Sequence, residues 1–153
     1  MRFRLGRGVL AMAEAMGVYG PPDFFEVNFK GDAVEKSEIT GGCLCGAIRY
    51  RAVGTPMHQA LCHCGNCRRA AGAQSVAWVT FKTDQVEFVQ GERSQYKSET
   101  QATWSFCGTC GTTLSYENDR RPGDIDLTVG SLDDPELFPP NRQTFEDEKL
   151  SWV

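Results

Sequence analysis

A mainly β domain is predicted for this chain by three features of its body. Short stretches alternate apolar and polar residues at strand period, turn residues separate them, and no long stretch after residue 40 carries a helical period. The expectation is a small β-sheet-rich domain of several short antiparallel strands over residues 37–153, preceded by an extension over residues 1–36. With 153 residues the chain has room for one core, since domains of this size bury roughly 70% of their unfolded surface.

Residues 1–36 contain no cysteine, begin with Arg2, Arg4 and Arg7, and carry Gly17, Gly20, Pro21, Pro22 and Gly31. That composition suits a helical or irregular extension, flexible in parts, and Glu14, Asp23 and Glu26 argue against a transit peptide. The apolar run over 9–13 stops at Glu14, too short for a signal-peptide core or a bilayer span, so a cytoplasmic protein with no membrane partner is expected. Residues 48–53 then alternate as Ile-Arg-Tyr-Arg-Ala-Val, 76–81 are rich in β-formers, and 86–89 follow the Thr83-Asp84 turn. Strands are also expected over 103–106, 112–116 and 125–129. Trp78, Phe81, Phe88, Trp104 and Phe106 fall at strand spacing and read as core, with Trp78 or Phe81 as candidate walls of a pocket.

Seven cysteines fall in three tight clusters: Cys43 and Cys45, then Cys62, Cys64 and Cys67, then Cys107 and Cys110. A disulfide framework calls for an even count and a secretory context. A lone C-x-x-C can be a redox pair, but three clusters in one short chain favour metal binding. An all-thiolate donor set selects zinc, copper(I) or iron–sulfur, and without an iron–sulfur spacing zinc is the expectation.

Structural zinc takes four ligands, whereas a catalytic ion keeps a position free, so seven sulfurs divide as four plus three. Cys62, Cys64 and Cys67 can close on one ion with almost no loop entropy. Cys43, Cys45, Cys107 and Cys110 then make a structural site. Joining Cys45 to Cys107 costs roughly 3.5 kcal/mol of closure entropy against about 10–16 kcal/mol from a structural zinc. Counting alone also permits Cys43 and Cys45 with Cys64 and Cys67; we rank the first division above it. Gly111 after Cys110 suits the left-handed turn of a zinc knuckle, and Gly41, Gly42 and Gly46 suggest flexibility around the first pair.

Two zinc ions per chain are therefore expected, one structural and one with an open position at Cys62, Cys64 and Cys67. An extended chain over 61–64 turns His63 away from its cysteine neighbours, and His58 reads as a surface residue. Three cysteinates make an anionic, weakly Lewis-acidic centre better suited to capturing a thiol as thiolate than to making hydroxide. Arg68 and Arg69 follow the trio directly and are the candidate grips for a carboxylate-bearing substrate, or else two solvated charges balancing the anionic cluster.

Taken together, Gly42-Cys43-Leu44-Cys45-Gly46 with Tyr50, Cys62-His63-Cys64-Gly65-Asn66-Cys67-Arg68 with Gly72, Phe106-Cys107-Gly108-Thr109-Cys110-Gly111 with Leu114, and the run from Gly130 to Pro135 are similar to the family of glutathione-dependent formaldehyde-activating enzymes and centromere protein V. The resemblance spans roughly residues 38–152. It implies a β-rich zinc fold and carbon–sulfur lyase chemistry, with glutathione adding to formaldehyde to give S-hydroxymethylglutathione. It also implies a structural zinc on Cys43, Cys45, Cys107 and Cys110 and a catalytic zinc on Cys62, Cys64 and Cys67. Where such proteins often carry histidine ahead of the final Lys-x-x-Trp, this chain has Gln143 before Lys149 and Trp152.

The expected partners are a small glutathione-like thiol and a small aldehyde. The rival readings are a non-catalytic zinc-stabilised interaction module, as the centromere branch suggests, and a redox or metal-buffering protein using the trio. A net charge of −4, concentrated after residue 132, leaves no basic stripe for nucleic acid.

Overall fold

All six stretches expected to be strands do pair, and four further strands join them. The computed structural model describes residues 38–153, so the extension expected over residues 1–36 lies outside the described residues. In chain order the elements are β1 (Glu38–Gly42), β2 (Arg49–Val53), β3 (His58–Cys62), α1 (Gly65–Ala71), β4 (Val76–Lys82), β5 (Val86–Gln90), β6 (Ser94–Lys97), β7 (Ala102–Phe106), β8 (Thr113–Asn118), β9 (Asp124–Thr128) and β10 (Arg142–Thr144). They form a three-stranded sheet ordered β1-β2-β5 and a seven-stranded sheet ordered β10-β3-β4-β9-β8-β7-β6. Every pairing is antiparallel except β10 with β3, which is parallel.

The larger sheet is covered on both faces, which explains its sequence. Val79, Phe81, Ile125 and Leu127 point towards the small sheet, where they meet Ile39, Tyr50 and Ala52 in one apolar core. On β4 the intervening Val76, Trp78 and Thr80 are also buried, against the opposite side. A strand buried on both faces reads as a continuous apolar run instead of an alternating one. By contrast β2 alternates cleanly: Tyr50 and Ala52 face the core while Arg51 lies outside beside Glu87.

The four strands not expected from sequence are poor in β-formers, with at most two in any one of them. β1 ends in Thr-Gly-Gly, and the flexibility suggested for Gly41 and Gly42 is absent because both pair in register with β2, opposite Tyr50 and Arg49. Gly41 is needed for close approach: a Cβ there would stand 2.4 Å from Tyr50 Oη and 2.6 Å from the Ser131 carbonyl oxygen. β6 and β10 are held by their partners' registers and not by their own composition.

Gly91 is constrained twice. Its φ is +72°, and a Cβ would lie 2.2 Å from the carbonyl oxygen of Ala47, in the loop that leads from Cys45 into β2. Gln90 Nε2 braces the same loop by donating to the Gly46 carbonyl oxygen at 3.0 Å. We expect Gly91→Ala to cost about 2–4 kcal/mol, the sum of a left-handed backbone penalty and an overpacked contact. A chemical denaturation curve shifted to lower midpoint with unchanged slope is the check.

Candidate functional site

The loop after β1 carries Cys43 and Cys45, and the β7–β8 loop carries Cys107 and Cys110. Their four sulfurs lie within 4.8 Å of one another. Cys43 and Cys45 Sγ are 3.5 Å apart, and Cys45 and Cys107 Sγ 3.7 Å. A tetrahedral zinc with Zn–S bonds of about 2.3 Å needs sulfurs about 3.8 Å apart, so this donor set fits the ion. Backbone geometry prepares the loops. Gly111 takes the expected left-handed conformation at φ +77° and its N–H closes on the Cys107 carbonyl at 2.8 Å. The Ile48 N–H donates to Cys43 Sγ at 3.2 Å, and the Leu44 N–H donates to Thr112 Oγ1 at 3.1 Å, tying one loop to the other.

The second cluster forms where β3 runs into α1. Cys62 is the last residue of β3, Cys64 caps α1, and Cys67 sits in its first turn, with all three sulfurs within 4.8 Å of one another. Cys64 Sγ accepts from the Cys67 N–H at 3.4 Å, the role an N-cap side chain plays. The helix ends at Gly72 in a left-handed conformation. Hydrogen bonding from Cys67 holds the Cys62 thiol low, at about 5, and the same contact pushes Cys67 up. Sulfurs gathered this closely suit a common cation, and both clusters, of four and of three, can hold metal ions of the zinc type.

The trio lines a cleft of about 510 Å³ on the face of the large sheet away from the core. Its position follows from register. Cys62 and Ala60 on β3, Trp78 and Thr80 on β4, Asp126 on β9, Tyr116 on β8 and Trp104 on β7 share this face and enclose it together with α1. Arg69, Arg121 and Arg142 bring positive charge; Asp126 and Glu148 bring negative charge. Asp126 is buried and committed, accepting from Thr80 Oγ1 at 2.6 Å and Arg121 Nη2 at 2.5 Å. Glu148 accepts from the Gly65 N–H at 2.7 Å, fastening the C-terminal segment to the start of α1.

Of the residues singled out in the sequence, Arg69 lines the cleft, whereas Arg68 turns back and donates from Nε to the His63 carbonyl oxygen at 3.0 Å. His63 is buried and stands outside the sulfur cluster; its Nε2 pairs with Gln143 Oε1 at 2.8 Å, and its N–H donates to the Thr144 carbonyl at 3.0 Å. Gln143 thus anchors the residue between two cysteines. His58 is exposed at the start of β3. Trp78 forms a cleft wall, and Phe81 belongs to the core between the sheets. Sequence reasoning missed Arg121, Asp126, Tyr116, Arg142 and Glu148. No signal marked Asp126 beforehand: β9 reads Asp-Ile-Asp-Leu-Thr, a plain alternation in which an acid at that position looks like any solvent-facing residue.

The family model described as glutathione-dependent formaldehyde-activating enzyme matches residues 38–148, a segment that contains all seven cysteines. The chain belongs to this family. A relative from Schizosaccharomyces pombe named "Uncharacterized lyase" is 32% identical over 87 residues, covering 56% of this chain and 63% of that protein. A protein of Halomonas elongata named "Putative glutathione-dependent formaldehyde-activating enzyme" is 28% identical over 124 residues, covering 75% of this chain and 79% of its own length. Among solved structures, a Rhodobacter sphaeroides protein superposes with a TM-score of 0.56 at 23% identity, over 69% of this chain and 99% of that one, which shows a shared fold. Among the described residues of this family member, no helix is long and apolar enough to cross a membrane.

Proposed function

We propose that this chain is a zinc-dependent carbon–sulfur lyase-type enzyme that joins a glutathione-like thiol to formaldehyde or a related small aldehyde, and catalyses the reverse cleavage. The observation that carries this reading is the unequal division of sulfurs. Four sulfurs gather between two loops, the number a closed tetrahedral zinc site takes, while three gather in the wall of a cleft, one donor fewer than such a site takes. Family membership supports the same chemistry.

Zinc bound at Cys62, Cys64 and Cys67 would supply an acceptor position that favours the thiolate form of an incoming thiol. The residues of the chain do the rest. Arg69, exposed beside the trio, offers a planar fork to a substrate carboxylate, and Arg142 adds positive charge to the same cleft. Arg68 holds the β3–α1 junction through the His63 carbonyl, which fixes the chain between Cys62 and Cys64. The rings of Trp78, Trp104 and Tyr116 remove water from one side of the reacting centre. The thiol gives its proton to solvent water as the thiolate forms, its sulfur makes the new bond to the carbonyl carbon, the carbonyl π pair moves to oxygen, and water returns a proton to complete the hydroxyl.

The test is the rate of S-hydroxymethylglutathione formation from glutathione and formaldehyde, followed with zinc-loaded and zinc-stripped protein. Acceleration over the spontaneous reaction is expected only for the loaded form. A loaded protein that adds nothing to the spontaneous rate removes formaldehyde as substrate.

A further inference from the structure

The cleft is larger and more aromatic than its simplest reactants need. Formaldehyde is little larger than a water molecule, whose share of liquid volume is about 30 Å³, and the cleft holds about 510 Å³. A glutathione-like thiol is polar throughout, and its carboxylates belong with the arginines. Arg69 also lines a second groove, of about 570 Å³, that runs on past Asn66 and Thr100, so a thiol gripped there has room to extend away from the first cleft.

Beside the arginines and the trio, the first cleft is lined by the rings of Trp78, Trp104, Tyr116 and Phe145 among small and polar side chains. Strand register places Trp104 directly opposite Tyr116, and Tyr116 opposite Asp126, on one sheet face. Trp104 and Tyr116 lie 5.1 Å apart at 62°, and Tyr116 and Trp78 lie 6.0 Å apart at 49°, so the three rings pack on one another as a single tilted cluster. Trp78 is in the same apolar cluster as Cys62 and Cys67, and Tyr116 packs against it, which brings this wall to the trio. Trp104 is 93% buried, and its buried Nε1–H has no acceptor among the described residues. An aromatic wall can also recognise a cation. Here both cleft carboxylates are already engaged, Asp126 by Arg121 and Thr80 and Glu148 by the Gly65 N–H, so neither stands free beside the rings to pair with one.

We propose that the carbonyl substrate carries a planar aromatic group, seated against Trp78, Trp104 and Tyr116 with its carbonyl carbon towards Cys62, Cys64 and Cys67. This assignment rests on the addition chemistry above and names the aldehyde class: an aryl aldehyde in place of formaldehyde. The bond changes are those already given, sulfur to carbonyl carbon with a proton from water.

The experiment titrates zinc-loaded protein with benzyl alcohol, the unreactive analogue of benzaldehyde, and reads the indole N–H resonances. Trp78 and Trp104 are expected to shift saturably while the exposed Trp152 stays still. In parallel, kcat/KM with glutathione is measured for benzaldehyde and formaldehyde. Benzaldehyde is expected to be preferred in the wild type, and the preference to fall by roughly tenfold or more in Tyr116→Leu. Unmoved Trp78 and Trp104 resonances beside accelerated formaldehyde addition would overturn the aryl assignment and leave the addition reading intact. Benzyl alcohol binding with no aldehyde accelerated would overturn the addition reading, and with it the assignment of an aldehyde substrate. Because the titration uses the wild type, poor folding of Tyr116→Leu does not affect it.

Discussion

Replacing Cys107 by serine is expected to leave a chain that no longer folds cooperatively at physiological temperature. Cys107 is 1% exposed, its N–H donates to the Thr112 carbonyl at 3.0 Å, and its sulfur lies 3.7 Å from that of Cys45 across 62 residues of sequence. In the unfolded chain those loops are far apart, so a zinc held by the four-sulfur set would bind essentially only in the folded state, and its binding energy would become folding energy. A structural zinc contributes about 10–16 kcal/mol, comparable with or larger than the roughly 5–15 kcal/mol net stability of a whole domain. Serine leaves three ligands and a hydroxyl buried beside them. Thermal unfolding by circular dichroism, with zinc counted by atomic absorption, is the check, and strong chelation of the wild type should reproduce the effect. A Cys107→Ser melt within a few degrees of wild type would mean that the sheets hold without the ion.

This site was legible in the sequence because its information is local and chemical. Cysteine is scarce, clusters are conspicuous, and the entropy of closing each loop ranks the ways of sharing seven sulfurs between two ions. The sulfurs converge in the four-plus-three division which that ranking favours. Strands with alternation or dense β-formers were legible too: β2, β4, β5, β7, β8 and β9 fall on the expected stretches. β1, β3, β6 and β10 were not, because their residues are ordinary and their conformation is imposed by partners distant in sequence. β10 is three residues long and exists through its parallel register with β3, which only the folded sheet supplies.

The cleft was the least legible part for a related reason. Its lining comes from one face of six strands and one helix, and nothing in a single strand tells which face meets the small sheet and which meets α1. Trp104 was correctly expected to be buried, but burial against a cavity and burial in a core look alike in sequence. Phe81 and Trp78, three residues apart on β4, divide between the two environments because successive side chains on a strand point to opposite faces.

Cys64→Ser is expected to have the opposite profile to Cys107→Ser: an intact fold and a lost reaction. Cys64 is the N-cap of α1, where its sulfur accepts the Cys67 N–H, and serine is among the best residues for that position. The substitution therefore keeps, or improves, the start of the helix while removing one of three thiolate donors. Stability should also be insensitive to the metal lost. Cys62, Cys64 and Cys67 are so close in sequence that the unfolded chain can hold zinc as well, and a ligand bound by both states stabilises neither relative to the other. The thermal midpoint is expected to move by no more than a few degrees, zinc content to fall from two ions per chain to one, and catalysed thiol addition to drop by at least about 100-fold, more than outer-sphere changes at metal sites cost. A protein that keeps its rate after losing that zinc would have to do its chemistry elsewhere in the cleft. One that unfolds would give the trio a structural role that its local spacing does not require.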